Sequence, residues 1–97
     1  MRIVAHRPQR WFLAEEDGAL FLDANCSNGP AGFSVLARLT PAETADYASA
    51  GDVSLDRLAQ AIQDHGPDSF GERDVGREIG ARFHATVIAW LEAQRAD

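Results

Sequence analysis

The side chains that could carry catalysis are few in this chain. Cys26 is the single cysteine, and His6, His65 and His84 are the three histidines. A cysteine becomes a strong nucleophile only beside a base or a cation that stabilises its thiolate, and nothing in the spacing pairs a histidine with Cys26. The histidines lie far apart, without a second cysteine or a His-x-x-x-His pattern, so no zinc site is indicated. We therefore expect a protein that is not an enzyme and that holds no metal or cofactor.

Each of these residues has an interpretation that requires no chemistry. Cys26 is expected to pack as a small, half-buried thiol in a loop or at the end of a strand. His84 lies beside an apolar stripe, where we expect a partly buried histidine with a hydrogen bond. His65 lies near a helix C-terminus, where its charge interacts favourably with the helix dipole. The segment Gly29-Pro30-Ala31-Gly32 is not a phosphate loop, because the lysine and the following Ser or Thr are missing.

Acidic residues dominate the charge of the chain. Fifteen Asp and Glu residues against nine arginines, with no lysine, give a net charge of −6. The first ten residues carry three arginines and no acid, so +3, and the remaining 87 residues carry −9. Residues 41–78 alone hold nine acids and three arginines. Such a surface repels nucleic-acid phosphate and attracts a basic protein, so we expect a protein partner and no nucleic acid.

Length and composition indicate one compact unit. With 97 residues, of which 45% are hydrophobic, residues 1–97 are expected to form a single domain with one core. No apolar run approaches the roughly 20 residues of a membrane span, and the N-terminus lacks the apolar stretch of a signal peptide. A lone cysteine fits a reducing compartment. These features predict a cytoplasmic protein that does not contact a membrane.

A tight hairpin is the clearest local feature. Asp17-Gly18, between the apolar runs 11–14 and 19–23, is typical of a two-residue hairpin turn. The turn predicts three strand pairs: Glu16 with Ala19, Ala14 with Phe21, and Leu13 with Leu22. The face that we expect to be core carries Trp11, Leu13, Leu20 and Leu22. The other face carries Phe12, Phe21 and Asp23.

A third strand follows the glycine-containing loop. Residues 33–40 alternate in a period of two, as in a sheet with one buried face. The side expected to be buried carries Phe33, Val35, Ala37 and Leu39. Because Ile3 and Val4 are adjacent β-branched residues, residues 1–5 can add an edge strand. The sequence therefore predicts an antiparallel sheet of three or four strands.

The next segments are predicted to be helical. Thr40 is placed to cap a helix that begins with a proline, completes a capping box with Glu43 and ends near Gly51. A second helix is expected from residue 53 or 54 to residue 65, where Gly66-Pro67 stops it. A polar connector should then lead to the last helix.

The last helix is the longest and is expected to back the sheet. Asp74 is placed to cap it, and it should cover residues 75–95. Its apolar stripe consists of Val75, Ile79, Phe83, Val87, Trp90 and Gln94, widened by Ile88 and Leu91. Gly76 and Gly80 lie four residues apart, which would let another backbone approach closely. We expect an α+β fold in which three helices pack on one face of the sheet.

Several stretches resemble a known class of protein. They are Trp11-Phe12-Leu13, Leu22-Asp23-Ala24-Asn25-Cys26 leading into Gly32-Phe33-Ser34, Thr40-Pro41-Ala42-Glu43 and Leu55-Asp56-Arg57-Leu58-Ala59. Over roughly residues 11–65 the chain resembles small acidic bacterial immunity proteins of toxin–immunity (polymorphic toxin) loci. Those are cytoplasmic proteins that bind and neutralise a cognate toxin domain. The resemblance implies this function here but carries over no interface residue.

We therefore predict an immunity protein that presents an acidic surface to a basic toxin. The expected contact residues are exposed acids and loop amides: Glu15, Glu16, Asp17, Asn25, Asn28, Asp68, Glu72 and Asp74. One alternative is a small ligand-binding protein or enzyme that uses the loop around Cys26, whose thiol would then react fast at neutral pH. A second alternative is a homodimer that covers Phe12 and Phe21 on the second sheet face, with a mass that depends on concentration.

Overall fold

The computed structural model describes residues 1–8, 10–26, 33–70 and 73–95. This part of the chain is a four-stranded antiparallel sheet followed by three helices, so the predicted α+β class is confirmed. The strands are neighbours in chain order: β1 (Arg2–Arg7), β2 (Trp11–Glu16), β3 (Ala19–Cys26) and β4 (Phe33–Arg38). The helices are α1 (Pro41–Ala50), α2 (Asp52–Phe70) and α3 (Gly76–Arg95).

The turn between β2 and β3 sets the register of the hairpin. Asp17 and Gly18 have φ angles of 53° and 83°, the positive values that a two-residue type I′ turn requires. Beyond the turn, Leu13 pairs with Leu22, and the other two predicted pairs are present as well. The predicted register is confirmed, and it divides the side chains between the two faces of the sheet.

The first face of the sheet packs against α2. The buried side chains on the sheet side are Trp11, Leu13, Leu22, Ala24, Val35, Ala37 and Leu39. Those from α2 are Leu55, Ala59 and Ile62, which lie about one helical turn apart. By contrast, α1 buries none of its residues and contributes a partly buried Tyr47. The face that the sequence predicts as the core is confirmed.

The second face of the sheet is covered by α3. Ala14, Phe21 and Leu36 pack there against Ile79 and Phe83. The expectation that all three helices lie on one face is therefore wrong. The strands β2 to β4 carry apolar side chains on both sides, and a sheet with two apolar faces needs a cover on each. The same helix closes the face that the homodimer alternative would have used.

The start of α1 has the predicted capping box. The Glu43 N–H donates to the Thr40 hydroxyl at 3.1 Å, and the Thr40 N–H donates to the Glu43 carboxylate at 2.9 Å. Pro41 occupies the first turn, where a missing N–H removes no helical hydrogen bond. The helix ends at Ala50, before Gly51, as predicted.

Thr40→Ala is expected to lower the free energy of unfolding by about 1 kcal/mol, because the Glu43 N–H loses its acceptor. Urea unfolding followed by circular dichroism measures the change. Thr40→Ser keeps a hydroxyl at the same place and serves as the control. If serine and alanine caused the same loss, the hydroxyl would not be acting as a cap.

The second helix is longer than the sequence predicts. It continues through Gly66-Pro67 to Phe70, so the expected stop at this pair is wrong. A proline inside a helix removes one backbone hydrogen bond and strains the preceding turn, but it does not always end the helix. The turns before it are fixed by Leu55 and Ile62 in the core. Asp68, which we expected in a connector, belongs to α2.

The last helix begins one residue later than predicted. The Asp74 carboxylate accepts hydrogen bonds from the Gly76 N–H at 2.9 Å and from the Leu36 N–H at 3.3 Å. It therefore caps α3, as predicted, and also fixes the start of the helix to β4. The Val75 N–H donates to the Leu36 carbonyl at 2.7 Å and supports the same junction.

The apolar stripe of α3 is narrower than predicted. Ile79 and Phe83 are buried, and Val87 packs partly against the same cluster. Ile88 and Leu91, which we expected to widen the stripe, are 41% and 37% exposed. A straight helix on a sheet buries one side only, so these two side chains lie beyond the contact. Across the described ranges, none of the helices combines the length and apolar character that a membrane crossing requires.

Candidate functional site

Two of the predicted contact residues, Glu15 and Glu16 of the β2–β3 hairpin, are paired within the chain. Arg82 of α3 donates two hydrogen bonds to the Glu16 carboxylate, at 2.6 and 2.9 Å. Arg2 of β1 donates one to Glu15 at 2.9 Å. The hydrogen bond from Arg82 lowers the pKa of Glu16 more than burial raises it. Glu15 thus joins the hairpin to β1, and Glu16 joins it to α3. Each acid and its arginine together carry no net charge.

The remaining predicted contact residues fall into two groups. Asp17 and Asp74 are exposed, at the hairpin turn and at the start of α3. The other four have no described side chain: Asn25 in β3, Asp68 in α2, and Asn28 and Glu72 outside the described residues. The Cys26 side chain and the loop of residues 27–32 also lie outside the described part, so the ligand-site alternative stays a prediction.

Asp56 of α2 joins α2 to β1 and β2, and the sequence analysis did not single it out. The Trp11 indole N–H donates to Asp56 Oδ1 at 2.9 Å, and Arg7 donates to both carboxylate oxygens at 3.2 Å. The hydrogen bonds from Arg7 and then from Trp11 lower the pKa of Asp56 below its ordinary value. Trp11 is only 1% exposed, so its N–H depends on this acceptor. No local pattern signals a contact between residues 45 positions apart.

Glu43 is paired as well, with Arg73 from the segment before α3. Arg73 donates to the Glu43 carboxylate at 3.0 Å and to the Arg38 carbonyl at 2.9 Å. Burial raises the pKa of Glu43, but the hydrogen bonds from Arg73 and from the Thr40 N–H together outweigh burial, so the pKa is lowered. The pair connects α1 to the end of β4 and to the start of α3.

Acidification is expected to destabilise the protein below about pH 4.5. Glu16, Glu43 and Asp56 have lowered pKa values in the folded protein, so the unfolded chain takes up protons first as the pH falls. Their stabilisation is complete above the unfolded-state pKa values and is lost as the pH falls through the folded-state values. Urea unfolding from neutral pH to about pH 3 measures this loss. A free energy of unfolding that stayed constant over this interval would contradict the pairings.

After these pairs, most of the negative charge that remains lies on one part of the chain. Four arginines pair with four acids: Arg2 with Glu15, Arg7 with Asp56, Arg73 with Glu43, and Arg82 with Glu16. Residues 41–74 hold six further acids and one further arginine, which is −5 of the net −6. They are Asp46, Asp52, Asp64, Asp68, Glu72, Asp74 and Arg57. Among the described residues, the acids of α1 and α2 that stay outside these pairs are Asp46, Asp52 and Asp64.

The outer surface of α1 and α2 combines these acids with apolar groups. We define the α1–α2 face by its accessible side chains: Asp46, Ser49, Asp52, Val53, Arg57, Gln60 and Asp64. A groove of about 420 Å³ lies between the two helices, with Leu55 and Leu58 among its apolar lining and Asp46 and Arg57 among its polar lining. Val53 of α2 belongs to the same face and is 49% exposed. An apolar centre surrounded by a polar rim is typical of protein-binding surfaces.

A smaller cavity of about 230 Å³ lies between α3 and the sheet. Asp23, Asp74 and His84 line it together with Phe83. A Cβ added at Gly80 would meet no atom within 4 Å, so the close backbone approach that we expected is not found there. His84 is exposed, and the expectation of a partly buried histidine is wrong. Within the described residues, no three side chains come together that could hold a metal ion.

His6 packs between two aromatic rings at the other end of α3. Its ring stacks on Phe12 with centroids 5.4 Å apart and meets Trp90 edge-on at 4.5 Å. Trp90 also covers Phe12, at a centroid distance of 6.0 Å. Phe12, expected to be exposed without a partner chain, is therefore shielded within the chain.

Comparisons of the chain with protein-family models, with curated proteins and with solved structures found no match. The interpretation of the site therefore depends on the geometry and charge of the molecule itself. On that basis the α1–α2 face is the favoured candidate, because it combines accessible acids with an apolar groove and an exposed aliphatic side chain.

Proposed function

We propose that this chain is an immunity protein, which binds a cognate bacterial toxin domain through the α1–α2 face and thereby neutralises it. The observation that supports this most is the charge of the α1–α2 face, where Asp46, Asp52 and Asp64 outnumber the single Arg57, and none of the four belongs to a salt bridge of the described residues. A charged face of this kind speeds the approach of a basic partner and orients it for docking. The bound immunity protein then blocks the toxin's active site or its access to substrate.

The chemistry of the α1–α2 face favours a basic protein as the partner. Nucleic-acid phosphate would be repelled by the same acids. The partly buried Leu58 in the groove lining suits the aliphatic stem of a lysine or arginine, whose charged end can then reach Asp46. Val53 offers a further apolar contact on the same helix. Because the toxin would act inside the cell, we place this function in the cytoplasm.

The α1–α2 face is held in place before any partner binds. The capping box and the Glu43–Arg73 pair fix α1, and the Asp56 contacts with Trp11 and Arg7 fix α2 against the sheet. A surface whose side chains and helices are already ordered loses less entropy on association. The proposed complex therefore forms with little rearrangement of the backbone.

Binding is tested with the product of the gene immediately upstream, by titration calorimetry at low and high salt. We expect one toxin domain per immunity protein and a dissociation constant that rises about tenfold or more between about 50 and 500 mM NaCl, since salt screens exposed charges. A dissociation constant that did not change with the salt concentration would contradict an electrostatic interface. The absence of any complex would contradict the immunity function.

A further inference from the structure

Arg57 is the basic member of the α1–α2 face, which is otherwise acidic. Its side chain is exposed, and it takes part in none of the salt bridges between described residues. Four other arginines of the chain do pair with acids. Arg57 therefore adds a positive charge to the α1–α2 face that no described acid neutralises through a salt bridge.

The α2 helix itself provides no acid to pair with Arg57. Side chains three or four positions apart on a helix are neighbours, and charged pairs form at these spacings. The positions three and four residues from Arg57 hold uncharged residues: Val53, Ser54, Gln60 and Ala61. The adjacent acid, Asp56, accepts hydrogen bonds from Arg7 and from the Trp11 indole instead. The exposed guanidinium of Arg57 can therefore bind an acceptor on another molecule.

Arg57 and Asp46 line the same groove, one from each helix. Asp46 comes from α1 and Arg57 from α2, and the partly buried Leu58 belongs to the same lining. The two charged side chains form no salt bridge with each other. The groove therefore offers an anion, a cation and an apolar wall to whatever binds in it. Its volume of about 420 Å³ is comparable to that of sites that hold several bound groups.

The position of Arg57 limits which basic proteins can cover the α1–α2 face. A partner that presented only basic side chains would place a cation against Arg57, and like charges held together at an interface are strongly unfavourable. An arginine that loses its water without gaining an acceptor adds a further penalty. A carboxylate at this position would instead accept two parallel hydrogen bonds from the guanidinium. The face therefore favours a partner that carries an acid opposite Arg57.

We propose that Arg57 determines specificity by binding a carboxylate of the toxin domain, while Asp46 binds a basic group of the same toxin segment. This inference rests on the immunity function proposed above. The segment in the groove then carries both signs of charge, with an apolar stem that packs on Leu58. Uniformly basic proteins are rejected, because they provide no acceptor for Arg57. The acids of the face attract basic partners, and Arg57 selects among them.

Arg57→Glu distinguishes this role from general charge attraction, because it makes the α1–α2 face more acidic. Attraction by charge alone predicts tighter binding of a basic toxin, whereas loss of a carboxylate partner predicts a dissociation constant that rises about tenfold or more. Arg57→Gln, which adds no acid, should change the constant in the same direction. Titration calorimetry with the product of the gene immediately upstream measures the constants, and circular dichroism checks that the variants fold.

Arg77→Glu is the matched control. It makes the same change in net charge as Arg57→Glu, from −6 to −8, at an exposed arginine of α3 that is also outside the described salt bridges. It should not weaken toxin binding. A loss of affinity as large as that of Arg57→Glu would assign the effect to net charge and overturn the role of Arg57.

A complementary change in the toxin identifies the carboxylate. Among toxin variants in which a single Asp or Glu is replaced by arginine, one should restore binding to the Arg57→Glu chain. If none did, or if Arg57→Glu bound the unaltered toxin as tightly as wild type does, the role of Arg57 would be overturned and the immunity function would stand. No binding of the toxin by the wild-type chain would overturn both.

Discussion

Asp56→Ala is expected to lower the free energy of unfolding by about 2–3 kcal/mol, a large effect for an acid at the protein surface. The reason is the buried indole of Trp11, whose N–H donates to Asp56 Oδ1 at 2.9 Å. A buried donor without an acceptor costs about 1–3 kcal/mol, and the hydrogen bonds from Arg7 are lost at the same time. Urea or thermal unfolding of the purified variant measures the loss.

Two further variants show whether the indole is the cause. Asp64→Ala removes another acid of α2, one that is exposed and, among the described residues, accepts from Gln60 at 2.9 Å, and it should change stability by less than about 0.5 kcal/mol. Trp11→Phe keeps a ring and removes the N–H, so Asp56→Ala should cost less in that background. If the cost of Asp56→Ala were the same with tryptophan and with phenylalanine, the hydrogen bond would not be its source.

The second large effect concerns binding. Reversing Asp46 and Asp64 together to arginine is expected to weaken the toxin complex about a hundredfold, roughly tenfold for each reversal. Both side chains are exposed on the α1–α2 face and neither belongs to a described salt bridge, so the fold should be unaffected. Surface plasmon resonance separates the effect into association and dissociation, and we expect the association rate to fall most.

A matched control distinguishes the effect of charges on the α1–α2 face from the effect of the net charge of the whole chain. Glu78→Arg with Glu92→Arg changes the net charge by the same amount, from −6 to −2, but on α3. Its affinity for the toxin, counted per chain, should remain within about threefold of wild type. Equal losses in the two double variants would assign the effect to overall charge and contradict the α1–α2 interface.

Local patterns predicted the parts of the fold that depend on neighbouring residues. The Asp17-Gly18 turn set the register of β2 and β3, and the Thr40 capping box set the start of α1. Both features involve residues within a few positions of each other, where turn and cap chemistry decides the conformation. The position of α3 was mistaken because it depends on the second face of the sheet. Phe21 and Leu36 on that face are buried only because a helix more than 40 positions away covers them.

The sequence predicted that the candidate site is negatively charged, but it did not predict where in the structure the site lies. The acid-rich composition of residues 41–78 is visible in the sequence, and the α1–α2 face lies within it. Glu15 and Glu16 looked like free acids at a hairpin, whereas Arg2 and Arg82 neutralise them. Pairs of this kind join residues 13 and 66 positions apart, so only the three-dimensional packing reveals which acids remain available to a partner.

Growth rescue in bacteria tests the immunity function most directly. The product of the upstream gene is expressed with this chain, with the Asp46→Arg/Asp64→Arg variant, or with the Glu78→Arg/Glu92→Arg control, at equal protein levels. We expect growth to be restored by the wild-type chain and by the control, and to be lost with the Asp46→Arg/Asp64→Arg variant. No protection by the wild-type chain, or equal protection by all three, would contradict neutralisation through the α1–α2 face.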